Sequence, residues 1–130
     1  MIPESLRNIE FYKHFASLLY AIANADRTIE VIEKRKIVEI VKDIATDTLG
    51  SLNSEDIIYE TLRALIKQQC SSERAFTTFS EFYYSNKKEF TTELKATLLS
   101  TCDKIVHAFS GRNKSELIVY TKLVLLFKDA

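Results

Sequence analysis

Apolar residues recur along this chain at helical spacing, and polar ones fill the gaps between them. Phe11, Phe15, Leu18, Leu19 and Ile22 fall at i, i+4, i+7, i+8 and i+11, one face of a first helix. Pro3 suits the first turn of that helix, where a missing N–H costs nothing. A second helix carries Ile37, Ile40, Val41 and Ile44 on one side and leaves Glu30, Glu33, Lys34 and Lys42 for solvent. Gly50 and residues 51–54 stop that run. Ser54 can cap a third helix, whose Glu55 and Asp56 complement the positive end of the dipole and whose Ile58, Leu62, Leu65 and Ile66 form a buried stripe.

A fourth helix starts at Ser71 or Ser72 and presents Phe76, Phe79, Phe82 and Tyr83, with a break over residues 85–87. Phe90, Leu94, Leu98, Cys102, Ile105 and Phe109 are then spaced for a long fifth helix, closed by Gly111 as a residue free to take positive φ. The last helix begins near residues 113–115 and is apolar on most sides over 117–127, which suits either the centre of a bundle or half of a partner interface. Period-two alternation is absent and no linker divides the chain. The pattern predicts an all-α fold, a single compact bundle of six to seven helices forming one domain over residues 1–130.

Composition narrows the functions open to such a bundle. Gly50 and Gly111 are the only glycines, too few for a phosphate-binding glycine loop. Eighteen Lys and Arg balance 18 Asp and Glu, so no global field draws in nucleic acid or an anionic membrane. The chain opens without a basic, then apolar, secretory leader, and residues 117–127 fall far short of the roughly 20 needed to span a bilayer. Two cysteines, Cys70 and Cys102, sit inside helical patterns rather than in a disulfide framework. The expected location is the cytoplasm.

One stretch carries a recognisable pattern. Ala21-Ile22-Ala23 followed by Ala25-Asp26-Arg27-Thr28-Ile29-Glu30-Val31-Ile32-Glu33-Lys34 resembles the A-D-G-x-I-D-x-x-E signature of the TerB-like family, across residues 15–42. That family includes tellurite-resistance TerB proteins and the N-terminal domain of DjlA co-chaperones. The resemblance implies a compact all-α domain with two related helix–turn–helix halves, and a setting in stress or metal-oxyanion responses. A second copy lies at residues 107–116, where aligning Glu33 with Glu116 sets Ile40 opposite Leu123 and Val41 opposite Val124. The chain departs from the signature at Arg27, where the family has glycine, and at Glu30, where it has aspartate. Arginine in a left-handed turn costs roughly 1 kcal/mol, and glutamate is a poorer N-cap than aspartate.

Two readings compete for the acidic turn. Asp26, Thr28, Glu30 and Glu33 can supply hard oxygen ligands to a divalent cation, a possibility the family's metal association raises. Alternatively, Glu30 and Glu33 form a capping box and Asp26 satisfies turn amides. An EF-hand is excluded, since Val31 stands where that loop needs glycine and Ile37 where it needs glutamate. The turn thus makes Asp26, Glu30 and Glu33 the candidate metal ligands of a cation-binding alternative, with capping as the expected role.

No catalytic constellation emerges, and an enzyme is not expected. Cys102 and His107, five apart on one helix, point about 140° from each other. Basic residues 34–36 span one turn among Glu30, Glu33 and Glu39, as a solvated helix face does, so nucleic acid is not an expected partner. The aromatics Phe76, Phe79, Phe82, Tyr83, Tyr84 and Phe90 are too many for one short helix to turn inward. Together with the apolar last helix they leave excess apolar surface for a protein partner or a homodimer. The expectation is a non-enzymatic interaction module with no cofactor, no nucleic acid and no membrane insertion.

Overall fold

A computed structural model describes residues 8–24, 31–40, 42, 48–49, 52–108 and 114–128. Among them are six α-helices: α1 (Ile9–Ala23), α2 (Val31–Ile40), α3 (Ser54–Lys67), α4 (Ser72–Ser85), α5 (Thr92–Ala108) and α6 (Lys114–Lys128). The all-α bundle expected from the periodicity is the fold. A two-residue antiparallel pairing, Thr48–Leu49 with Leu52–Asn53, precedes α3, and one 3-10 turn, Lys87–Glu89, joins α4 to α5. Neither is long enough to leave a periodic signal.

Helix α1 is the central element, packing against α3, α4, α5 and α6. Phe11, Phe15, Leu18, Leu19 and Ile22 are all fully buried, as their spacing requires, and so are Tyr12, Ala16 and Ala21. The helix starts later than Pro3 suggests. Asn8 caps it by accepting a hydrogen bond from the Phe11 amide at 2.9 Å, so the first turn begins at Ile9 and Pro3 lies outside the described residues.

At its other end α1 is tied to the corner between α3 and α4. The Ser72 hydroxyl donates to the Ala21 carbonyl, one of the last four that a helix leaves unpaired. The Tyr20 hydroxyl and the Asn24 amide, the latter at 3.4 Å, both donate to the Cys70 carbonyl. That corner is a Schellman turn: the Cys70 amide bonds the Leu65 carbonyl at 3.1 Å and the Gln69 amide the Ile66 carbonyl at 3.0 Å. Gln69 holds φ at 53°, a left-handed conformation that usually falls to glycine.

The α4 helix starts where expected, with Ser71 capping it by accepting from the Arg74 amide at 3.1 Å. Ser54 does not act as expected. It is the first residue of α3, one place past the capping position, and its buried hydroxyl has no hydrogen-bond partner among the described residues. The α5 helix is capped by Thr91, which accepts from the Leu94 amide at 3.0 Å, so Phe90 precedes the helix rather than opening it.

Phe90 is nonetheless buried, at the centre of an aromatic cluster. Its ring lies 5.0 Å from Tyr83, 6.1 Å from Phe79, 6.2 Å from Phe82, 6.3 Å from Phe127 and 6.4 Å from Phe11, joining α1, α4 and α6. Leu94, Leu98, Cys102 and Ile105 are fully buried along α5, as the spacing of four, four and three predicts. Lys95 closes this corner: its ammonium donates to the Phe127 carbonyl at 3.4 Å and lies 5.7 Å from the Tyr83 ring centre. A cation is well placed at the carbonyl end of α6, where the helix dipole is negative.

The two helix pairs compared by the pseudo-repeat pack differently. The α5 and α6 helices lie on each other, whereas α2 rests on α3 and α5. Ile37 is fully buried and Ile40 half-buried, with Leu123 buried and Val124 half-buried in the other copy. Gly111, Phe109, Val41 and Ile44 lie outside the described residues.

Candidate interaction surfaces

The α3 helix shows why one apolar stripe is not enough to describe it. Ile58 and Leu62 are buried, joined by Ile57, while Leu65 and Ile66 are only half-buried. Among the described residues, the side of α3 that carries Ile57, Thr61, Ala64, Leu65 and Gln68 is left open beside the first turn of α1. These positions recur at i, i+4, i+7, i+8 and i+11, a face that continues for about 17 Å at the α-helical rise. Ile9 and Lys13, one turn apart on α1, form the facing wall.

The result is an open groove of about 560 Å³. Its floor is apolar, from Ile57, Ala64 and Leu65, with Ile9 against it on the α1 wall, and its rim is charged. Asp56 and Glu60 stand on the α3 bank and Lys13 on the α1 bank, all exposed. Glu60 also reaches the Arg63 guanidinium at 3.6 Å, an exposed pair of the kind that contributes little to stability. Ala64 is exposed at the floor, so its small side chain leaves room that a larger one would fill. Apolar floors with charged rims are the anatomy of protein-docking sites.

A second apolar surface lies on α6. Leu123, Leu126 and Phe127 turn inward, and Ile118 and Leu125 turn outward with 57% and 61% of their surface exposed. Seven residues apart, these two project from the same side of the helix, with exposed Lys122 between them. Among the described residues the last helix thus divides: one side is bundle core, and the other is a ridge facing solvent in which Ile118 and Leu125 flank Lys122.

Elsewhere the groups with chemistry to offer are two cysteines and two histidines. The Cys102 thiol is fully buried, and burial first, then the nearby Asp103 charge, pushes its pKa far up, so it stays protonated and unreactive. His107 is exposed and turned to its own helix, with Nδ1 2.8 Å from the Asp103 carbonyl. His14 stacks on Phe82 at 4.3 Å and bonds the Glu10 carbonyl at 2.7 Å. Cys70 and Cys102 are both free thiols. Arg35, Lys36 and Glu39 are exposed on α2, the solvated face expected of that run.

Of the acidic turn, Asp26, Thr28 and Glu30 lie outside the described residues, and Glu33 falls within α2 with its side chain outside them. Among the described residues no group of three His, Cys, Asp or Glu side chains is gathered to hold a metal ion. No helix among them is long and apolar enough to cross a membrane. The groove residues Ala64, Thr61 and Gln68 escaped the sequence reading, which followed the deepest stripe. Ile57, just outside the stripe of Ile58, Leu62, Leu65 and Ile66, was the available signal: it widens the apolar arc beyond what one packing neighbour covers.

The chain matches no protein-family model, no curated protein and no solved structure. The TerB-like pattern over residues 15–42 therefore enters as a resemblance.

Proposed function

We propose that this chain is a non-enzymatic interaction module that docks a protein partner in the groove between α1 and α3. The observation that carries the reading is the groove itself, a trough of about 560 Å³ with an apolar floor, left open among the described residues beside the buried Ile58 and Leu62 of α3. An apolar floor inside a charged rim can seat a few side chains of a partner, and the rim gives that partner its register. The buried, protonated Cys102 thiol and the two histidines already bonded to backbone carbonyls support a binding role over a chemical one. A setting in stress or metal-oxyanion response is carried over from the TerB-like resemblance alone.

Affinity capture from native lysate tests this reading when run with matched baits. Ala64→Glu places a charge and added bulk on the groove floor at an exposed position, and Glu81→Lys alters exposed α4 as a control. With Ile118→Glu in all three baits, so that nothing is retained through the α6 ridge, species held by the otherwise unaltered chain and by Glu81→Lys are expected to be lost with Ala64→Glu. Identical patterns from all three baits would overturn the assignment of the groove.

A further inference from the structure

The groove and the α6 ridge are complementary in apolar shape and in charge, and we propose that the ridge of one copy of this chain docks in the groove of another. The inference rests on the groove being a docking surface and adds the identity of an occupant.

Apolar shape comes first. Ile118 and Leu125 stand out from α6 about 10 Å apart along the axis, and the groove floor extends about 17 Å along α3. Two large aliphatic side chains on one helix face are the anchors that helix-in-groove recognition uses, and the exposed Ala64 leaves a hole between the neighbouring turns of α3 for such a knob.

Charge fixes the direction. Lys122 sits between the two anchors and is exposed. Asp56 and Glu60 rise from one bank of the groove, one turn apart, while Lys13 stands on the other. Seated in the groove, Lys122 is drawn to Asp56 and, in competition with Arg63, to Glu60, and is repelled by Lys13 on the α1 bank, which sets the rotation of the incoming helix.

The alternative pairing, ridge against ridge, is disfavoured by the same residue. An antiparallel pair that matches Ile118 of one copy with Leu125 of the other is centred between residues 121 and 122, and brings the two Lys122 ammonium groups together. Like charges at the middle of an interface oppose it. The ridge–groove contact is heterologous, so each copy carries one donor and one acceptor patch.

A mixing experiment separates these arrangements. Light scattering after size exclusion is expected to show the unaltered chain rising above its monomer mass of 15.0 kDa as concentration increases. Ile118→Glu destroys the ridge and keeps the groove; Ala64→Glu destroys the groove and keeps the ridge. Both positions are exposed, and unchanged circular dichroism and unfolding midpoints verify the fold. Each variant alone is expected to remain monomeric, and the two mixed are expected to form a one-to-one complex of twice the monomer mass.

Charge reversal supplies the second arm. Lys122→Glu and Glu60→Lys are each expected to weaken association about fivefold, the effect of about 1 kcal/mol, and to recover it when one copy carries each. An unaltered chain that stays monomeric throughout would overturn the proposal, as would a mixture that fails to assemble. If self-association is absent while Ala64→Glu still abolishes capture of a lysate protein, the groove reading stands and only its occupant changes. If neither responds, both fail.

Discussion

Tyr83 offers a worked test of how the corner beneath α6 is held. Its ring is fully buried against Phe90 at 5.0 Å and Phe127 at 5.3 Å, yet its hydroxyl has no hydrogen-bond partner among the described residues. Leaving a buried hydroxyl unpaired costs about 1–3 kcal/mol. Tyr83→Phe removes that oxygen and keeps the ring contacts, and the Lys95 ammonium at 5.7 Å from the ring centre loses at most about 0.5 kcal/mol of cation–π attraction. The net expectation is a gain of about 1 kcal/mol. For 130 residues the unfolding entropy is about 0.27 kcal/mol/K, so the melting temperature rises by about 4 °C.

Urea unfolding followed by circular dichroism is the assay. The midpoint should increase with the slope unchanged, the sign of altered stability without altered compactness. A loss of about 1 kcal/mol or more would refute the reasoning, because it would mean the hydroxyl is paired in solution. The result bears on function as well. Phe127 and Leu126 anchor α6 from below, and that anchoring keeps Ile118 and Leu125 turned outward.

Three further outcomes follow from the same geometry. Gln69→Gly relieves a left-handed backbone at φ 53° without touching the Schellman hydrogen bonds, and should raise the urea midpoint by the equivalent of about 0.5–1 kcal/mol. Burial, with Cys70 as a smaller cause, raises the Tyr20 pKa above its ordinary 10.0. The stability this contributes is complete below pH 10.0 and lost as pH climbs through the folded value, so Tyr20→Phe should flatten the alkaline fall in unfolding free energy. A thiol reagent should modify half-buried Cys70 in the native protein and reach buried Cys102 only on unfolding; equal native rates would contradict its placement.

Apolar spacing made the helices legible because one face of each is matched by packing, as with Phe11 to Ile22 and Leu94 to Ile105. Helix ends were less legible. Ser71 announces α4, but Asn8 was obscured by Pro3, and Gln69 closes α3 in a role that composition assigns to glycine. Ser54 carried a capping residue type one position too late to cap. The surfaces were half legible. Apolar excess on the last helix was visible as a pattern, whereas its division into Leu123 inside and Leu125 outside depends on where α1 and α5 lie. The groove was hidden because its floor is made of residues such as Ala64 and Thr61, whose significance comes from α1 stopping short beside them.

Site-specific cross-linking tests the central claim most directly. A photoreactive side chain at Ala64 sits on the groove floor, and one at Glu81 sits on exposed α4 as a reference. In native lysate a discrete protein adduct is expected from position 64 and none of that species from position 81. Adducts that are the same from both positions, or none from position 64, would contradict the groove as the surface through which this protein works.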